Sequence, residues 1–153
     1  MASTGNGELD GFIARYAPEI AVQMHSAISR MRARLPGATL LVYDNYNALA
    51  LGFASGDKVG DVILSLAAYP RWVTLFFLHG ATLDDPHKLL EGAGNRVRSI
   101  RIANAETLGD PRVEVLIANA LTKAQRPLDP NAAGKIVIKS VSARQRPRRP
   151  VGV

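Results

Sequence analysis

Two glycines and three arginines stand close together in the stretch EGAGNRVRSIRI, residues 91–102. A dinucleotide-binding loop needs a third glycine in the pattern GxGxxG, and it follows a strand and opens a helix. Here Val97 takes the third position, and the stretch leads from a short helical pattern into a strand pattern. We therefore interpret Gly92 and Gly94 as a helix end and a strand entry. Arg98 remains a candidate for binding a carboxylate or phosphate; the alternative is a solvated arginine on an edge strand.

The stretch VYDNYN carries a second group of residues suited to binding. Tyr43, Asn45 and Tyr46 combine aromatic rings with an amide, a composition found both in small-ligand pockets and in ordinary hairpin turns. Trp72, the sole tryptophan, either stacks on a ligand or anchors the start of a strand. We predict that these residues and Arg98 hold a small polar or anionic ligand between the hairpin and the arginine-rich strand.

The stretch HGATLDDPH brings together side chains of the types that ligate metals, namely His79, Asp84, Asp85 and His87. Imidazole and carboxylate groups together suit iron, manganese or zinc, so iron is the candidate cofactor of a second hypothesis, metal handling. The alternative is structural, with Asp85 as a helix N-cap and the others at the surface. No G-x-S-x-G stretch is present and no nucleophile, base and oxyanion grouping can be named, so we expect a non-enzymatic protein.

The net charge of +6 is confined to one end of the chain. Residues 1–130 hold 13 Lys and Arg against 13 Asp and Glu, whereas residues 131–153 hold six basic residues and no acidic one. A third hypothesis is therefore weak association with nucleic acid through the basic tail. The arginines that would carry it are Arg144, Arg146, Arg148 and Arg149.

The order of the elements predicts an α+β protein. Helical patterns come first, four or five strand patterns follow with a short helical turn at 83–92 before the fifth, and a last helix begins with Asp110 as its cap and Pro111 at its first position. The apolar stripes of the two longer helices are Ile20, Met24, Ile28, Met31 and Leu35, and Val113, Leu116, Ile117, Ala120 and Leu121. Strands in a run favour a mainly antiparallel sheet of about five strands with the N-terminal and C-terminal helices packed against it. The strand patterns lie at 39–44, 47–53, 61–69, 71–79 and 95–103. Both alternating sets of residues in 71–79 are apolar, which predicts a strand covered on both faces.

Length and composition predict one domain with two tails. We expect a disordered N-terminus at residues 1–7, a domain at 8–125 and a basic extension at 126–153, with a short strand at 135–141 and a disordered end. The chain has no cysteine, no signal-peptide pattern and no apolar stretch long enough to cross a bilayer. We therefore expect a cytoplasmic protein that does not bind membranes.

Four stretches resemble the YdhG-like family, a bacterial family classed largely as a domain of unknown function. They are FIARYAPEIA, LVYDNYNALALGF, LSLAAYPRWVTLFFLHGATLDDPHKLLEGAGNRVRSIRI and DPRVEVLIANAL, and the resemblance covers residues 8 to about 125. It implies an antiparallel sheet with the first and last helices beside it. One branch of the family is described as an intracellular iron chaperone resembling frataxin in fold, which would imply acidic ligands for iron. The N-terminal helices of this chain carry only Glu8, Asp10 and Glu19 as acidic residues.

Overall fold

The computed structural model describes residues 4–150, with side chains from residue 7 onward, as three α-helices and six strands. Their bounds are α1 Thr4–Ala14, α2 Pro18–Arg34, β1 Thr39–Asp44, β2 Leu49–Ala54, β3 Val62–Ala68, β4 Val73–Phe77, β5 Arg98–Ile102, α3 Pro111–Lys123 and β6 Ile136–Val141. Short 3-10 helices lie at Val59–Asp61, Gly80–Thr82 and Ala105–Gly109. The α+β prediction is confirmed at this level.

All six strands form one sheet in the order β5-β4-β3-β2-β1-β6. Strands β1 to β5 pair antiparallel with their neighbours along the chain, whereas β6 pairs parallel with β1. The sheet is therefore mixed, with one more strand than the run of strand patterns predicted. That strand comes from the basic extension, where four of the six residues are β-branched: Ile136, Val137, Ile138 and Val141.

The long helices bury the residues that their periodicity predicts. Pro18 and Pro111 stand in the first turns of α2 and α3, where a missing backbone N–H costs nothing. The stripe of α2 is buried throughout: Ile20, Met24, Ile28, Met31 and Leu35. In α3 the buried stripe is Val113, Leu116, Ile117 and Ala120. Each helix therefore turns one apolar side to the sheet.

One face of the sheet and the three helices together form the main core. The strand residues that join this core alternate along each strand, as Leu64 and Leu66 do in β3 and Val73, Leu75 and Phe77 do in β4. They pack with residues from all three helices, for example Ile13, Met24 and Leu116. We call this side of the sheet the helix-packed face.

The opposite face is covered only in part. A small cluster of Leu41, Ala54 and Val62 is buried there, and the side chains packed on it are those of Tyr43, Leu78 and Val137, none of them from a helix. On the same face of β4, Phe76 is half-buried, as is Trp72 just before the strand. The prediction that 71–79 is covered on both faces holds only in part: Thr74 is buried on this face, whereas Trp72 and Phe76 are half-buried because all three described helices pack on the other side of the sheet. We call this side the open face.

Residues 83–92 form a loop in place of the predicted helical turn. The Asp85 carboxylate does accept backbone hydrogen bonds, from Leu89 N–H and Leu90 N–H at 3.0 Å each, but no helix follows it. The backbone of Glu91 pairs with Ser99 instead, so the loop returns to the edge of the sheet as an isolated bridge. Gly92 has a φ of 132°, a backbone conformation that is strained for any residue with an L side chain. The loop therefore needs a glycine at this position to turn back to the sheet.

Both predicted disordered ends contain residues that the structure describes. The N-terminal prediction, 1–7, falls partly on residues 1–3, which lie outside the described residues, while residues 4–7 belong to α1. Residues 142–150 lie beside the β1–β2 hairpin, and Arg148 is buried among them. Residues 151–153 lie outside the described residues. Disorder was predicted from the basic composition of this end. The composition contains no sign that Arg148 contacts the buried carboxylate of Asp44.

Candidate functional site

Residues 142–150, which we call the docked segment, lie on the β1–β2 hairpin turn. The turn closes with a hydrogen bond from Asn45 N–H to the Ala48 carbonyl oxygen at 3.0 Å. The segment then pairs its own backbone with the turn, through Ser142 N–H to the Asp44 carbonyl and Arg146 N–H to the Tyr46 carbonyl. Residues that are far apart in the sequence are therefore brought together at one end of the sheet, which we call the hairpin end.

A buried ion pair fixes this arrangement. The Arg148 guanidinium donates to the Asp44 carboxylate at 2.8 Å, and the two side chains are 2% and 1% exposed. Arg15 approaches the other carboxylate oxygen of Asp44 at 3.5 Å. Two charges buried this deeply need each other, because either one alone would be desolvated without compensation. The buried ion pair between Asp44 and Arg148 therefore fixes the docked segment to the hairpin.

Tyr16 joins the ion pair to the helices. Its hydroxyl donates to the Ala68 carbonyl at 2.7 Å and accepts from Leu49 N–H at 3.1 Å, which links two strands. Its ring lies 5.9 Å from the Arg148 guanidinium carbon. Burial raises the pKa of the Tyr16 phenol above its usual value, so the hydroxyl keeps its proton and its donor role.

A groove of about 520 Å³ lies between the docked segment and the β3–β4 turn. We call it the basic groove; its lining side chains, besides three prolines, are Asn47, Tyr69, Arg71, Trp72, Arg146 and Arg149. None of the described residues that line it is acidic. Arginine guanidinium groups beside aromatic rings favour anionic, planar ligands, because they offer charge, hydrogen-bond donors and stacking surfaces together.

The rings of the groove are held in place by their neighbours. The Arg101 guanidinium carbon lies 3.9 Å from the centroid of the Trp72 ring, and the Tyr69 ring lies 5.6 Å away at 32°. The Arg146 guanidinium carbon lies 5.8 Å from the Tyr46 ring. These contacts set the rings at fixed positions before any ligand arrives, which reduces the ordering cost of binding.

A shallower depression of about 450 Å³ on the open face adjoins the basic groove. It shares Asn47 and Tyr69 with the groove, and it also takes in Asn45 and Tyr46 from the hairpin turn. Its base on the sheet consists of small side chains, Ala50, Ser65 and Ala67, which leave room above the strands. Of the predicted ligand-binding residues, Asn45, Tyr46 and Trp72 therefore lie at the hairpin end.

Arg98 lies at the other end of the sheet. It pairs with Phe77, the last residue of β4, while the hairpin turn is level with the first residue of β4. Three strands also separate β1 from β5, roughly 19 Å at the usual spacing. The Arg98 guanidinium donates to the carbonyls of Val97 and Gly94 and so closes its own loop. The sequence placed Arg98 and the hairpin in one pocket, and the structure does not bring them together.

Tyr43 is also separate from the groove. Its side chain packs on the small cluster of the open face, its hydroxyl is buried without a hydrogen-bond partner among the described residues, and burial raises the pKa of this phenol. It acts in packing on the open face.

The four predicted metal ligands are dispersed. Within residues 4–150 no group of three or more His, Cys, Asp or Glu side chains is placed to hold a metal ion. Asp85 binds the backbone of its own loop, His87 lies near Asp110 at the start of α3, and the exposed His79 precedes the Gly80–Thr82 turn. A metal-handling role thus has no donor set in the described part of the chain.

Sequence reasoning missed Tyr69, Arg71 and Arg101, which surround Trp72 in the structure. A signal was available in part: Tyr69 and Trp72 flank Pro70 and Arg71, and a four-residue turn brings its first and last residues together. Nothing local indicates Arg101, which reaches Trp72 because β5 pairs with β4.

Comparisons of the chain with protein-family models, with curated proteins and with solved structures give no match. The resemblance to the YdhG-like family therefore stays a prediction. The structure defines the chain as an α+β protein with a mixed six-stranded sheet and one open face. Among residues 4–150, no helix has the length and apolar character that crossing a bilayer requires.

Proposed function

We propose that this protein is a non-enzymatic cytoplasmic binding domain that holds a small anionic ligand with a planar ring in the basic groove. The observation that supports the proposal is the lining of the groove, with Arg71, Arg146 and Arg149 beside Tyr69 and Trp72 and with no acidic residue among those described. The guanidinium groups would bind carboxylate or phosphate oxygens, and the rings would stack on the planar part. The sequence predicted a small polar or anionic ligand, and the proposal narrows this class to an anion with a planar ring and uses the hairpin end alone.

The docked segment would supply half of the site. Arg146 and Arg149 both come from the basic extension, and the ion pair between Asp44 and Arg148 fixes that extension beside the hairpin turn. The arginines would thus be arranged before binding, instead of being ordered by the ligand.

Trp72 gives a direct readout, because the sole tryptophan lines the groove. Titration with a nucleoside monophosphate, which combines a ring with a phosphate, is expected to quench its fluorescence, and inorganic phosphate is expected to bind more weakly. Arg146→Gln should weaken binding about tenfold, the usual effect of losing one charged hydrogen bond. Arg144→Gln is the matched control, since Arg144 is an exposed arginine of the same segment outside the groove. Equal losses in both variants would show attraction by net charge only and would contradict a defined site.

A single-stranded nucleic acid is the second candidate ligand, favoured by one observation. The rings of Tyr46, Tyr69 and Trp72 lie along the hairpin end with arginines beside them, and successive rings beside basic groups suit successive bases. Only three of the four tail arginines are exposed, because Arg148 is buried with Asp44. An oligonucleotide should then bind far more tightly than a mononucleotide, and its affinity should fall steeply with salt. Equal affinity of mononucleotide and oligonucleotide favours the small ligand.

A further inference from the structure

A second, more enclosed pocket lies at the end of the sheet opposite the hairpin end. The C-terminal half of α3 crosses the start of β3 and the end of β4, and the space between them is about 140 Å³. Its apolar walls are formed by Ile63, Phe77, Leu83 and Ala120, all of them buried. A cavity of this size with such walls matches a single six-membered ring, since an engineered cavity of about 150 Å³ lined by Leu, Ile and Phe binds benzene. We call it the α3 pocket.

Two polar bridges frame the mouth of the α3 pocket. On one side the Lys123 ammonium reaches from α3 to the Thr82 carbonyl oxygen at 2.5 Å. On the other side Arg126 pairs with Asp61 at 3.2 Å. Gly56 lies against that pair, and a Cβ there would lie 2.4 Å from both the Arg126 guanidinium and the Asp61 carboxylate, so the two side chains would have to shift. The mouth is thus built from residues that three distant segments bring together.

The charges at the mouth leave one cation without an ionic partner. Asp61 is offset by Arg126, whereas Lys123 contacts only a neutral carbonyl among the described residues. An ammonium has three donors, and two of those on Lys123 remain free. The exposed side chain of His79 also lines the mouth and adds a further polar contact. An apolar interior with one unpaired cation at its entrance is complementary to a small apolar body that carries one negative charge.

We propose that the α3 pocket binds a small monocarboxylate with one aromatic ring or a branched chain of similar size, its carboxylate on Lys123 and its apolar body against Phe77 and Ala120. This site goes beyond the function proposed above, since it shares no lining residue with the basic groove. The two proposals therefore fail independently.

Benzoate is the test compound, with benzyl alcohol as a ring without the charge and acetate as the charge without the ring. Binding is measured by calorimetry and by amide chemical-shift changes in α3. Benzoate should bind, with amide shifts confined to the pocket, and the other two should bind at least about tenfold more weakly. Lys123→Met should weaken benzoate binding about tenfold, with Lys139→Met as the control for net charge.

Filling the pocket gives the second arm of the test. Ala120→Leu should abolish benzoate binding by occupying the apolar interior, whereas Ala118→Leu places the same side chain on the exposed side of α3 and should leave binding unchanged. If Ala120→Leu does not fold by circular dichroism, Ala124→Leu, at the same pocket but half-buried, takes its place. Benzyl alcohol binding as tightly as benzoate, benzoate shifts outside the α3 pocket, no benzoate binding by the folded protein, or binding retained in the filled variant would each overturn the proposal.

Discussion

The helix-packed face and the hairpin end are held together by different forces. The helix-packed face consists of apolar side chains from all three helices and alternating positions of the strands, with Leu64, Leu66 and Leu75 fully buried. The hairpin end depends on Tyr16, Asp44 and Arg148, whose buried polar groups are paired except for Arg148 Nε, which has no hydrogen-bond partner among the described residues. Apolar burial tolerates small rearrangements, whereas a buried charge tolerates no loss of its partner.

This difference explains why the proposed ligand site lies where it does. The helix-packed face leaves only the small, enclosed α3 pocket, while the hairpin end is made of loops and a docked segment with polar groups at the surface. Binding groups are commonly carried by loops on a rigid scaffold. Here the sheet supplies the scaffold, and the ion pair supplies the rigidity that the loops lack.

Breaking the ion pair is the strongest test of the polar end. Arg148→Met should lower the free energy of unfolding by about 3–5 kcal/mol, because Asp44 stays buried with only Arg15 at 3.5 Å to compensate it. Chemical denaturation measures the loss, and limited proteolysis should cut after Val141 more readily. Arg144→Met, at an exposed arginine, is the control. Adding Asp44→Asn to Arg148→Met should recover part of the lost stability. Unchanged stability of Arg148→Met would mean that the ion pair does not stabilise the fold.

Two neighbours in β4 compare the two faces of the sheet directly. Leu75→Ala opens a cavity on the helix-packed face and should cost about 2–5 kcal/mol. Phe76→Ala removes a larger side chain from the open face, yet it should cost only about 1–2 kcal/mol because Phe76 is half-buried. Urea denaturation measures the free energy of unfolding of both variants. A loss for Phe76→Ala as large as that for Leu75→Ala would mean that the open face is covered in solution, for example by a second copy of the chain.

Tyr16 lies between the two regions and should show both kinds of contribution. Tyr16→Phe keeps the ring but leaves Ala68 C=O and Leu49 N–H without their partner, which should cost about 1–3 kcal/mol. The raised pKa of the phenol means that the unfolded chain ionises first, so wild-type stability should fall as the pH rises above about 10. The phenylalanine variant lacks this group, and the part of the alkaline loss that disappears in it measures the contribution of Tyr16. An identical pH profile in both proteins would contradict the assignment.

The N-cap of α3 should give the smallest effect, because it lies at the surface of the helix-packed region. Asp110 accepts hydrogen bonds from the side chain and the backbone N–H of Arg112, which lower its pKa to about 2. A depressed pKa contributes stability above the unfolded value, and that contribution is lost as the pH falls towards 2. Asp110→Ala should therefore lower the Tm by a few degrees at neutral pH and by less at pH 2. Glu106→Ala is the control, and a difference that does not depend on pH would contradict the role of the charge.

Helices and turns could be predicted from the sequence wherever a local pattern of residues determines them. The stripe of α2, the cap and stripe of α3 and the hairpin around Asn45 and Tyr46 all follow from residues within a few positions of each other. The helical turn predicted at 83–92 does not form. A cap and a proline favour the start of a helix, but the following residues must also pack as a helix, and here Glu91 pairs with Ser99 of the sheet instead.

The site was predictable only in part, since its members meet through strand order. Trp72, Asn45 and Tyr46 were recognised by their type, but Arg101 reaches Trp72 through the pairing of β4 with β5. Arg98 was assigned to the same pocket because residues of types suited to binding were expected to converge in an antiparallel sheet. The antiparallel order places it three strands away, at the opposite end.

By itself the sequence determined the two long helices with their apolar sides and the run of strands β1 to β5, because periodicity and capping are local properties. Which arginines are free and which are buried was decided only by the tertiary structure. Arg148 is one of six basic residues in 131–153 that look alike in the sequence, and it differs from them because β6 joins the sheet beside β1 and directs the chain back over Asp44, 104 residues away. The same return places Arg146 and Arg149 beside Trp72.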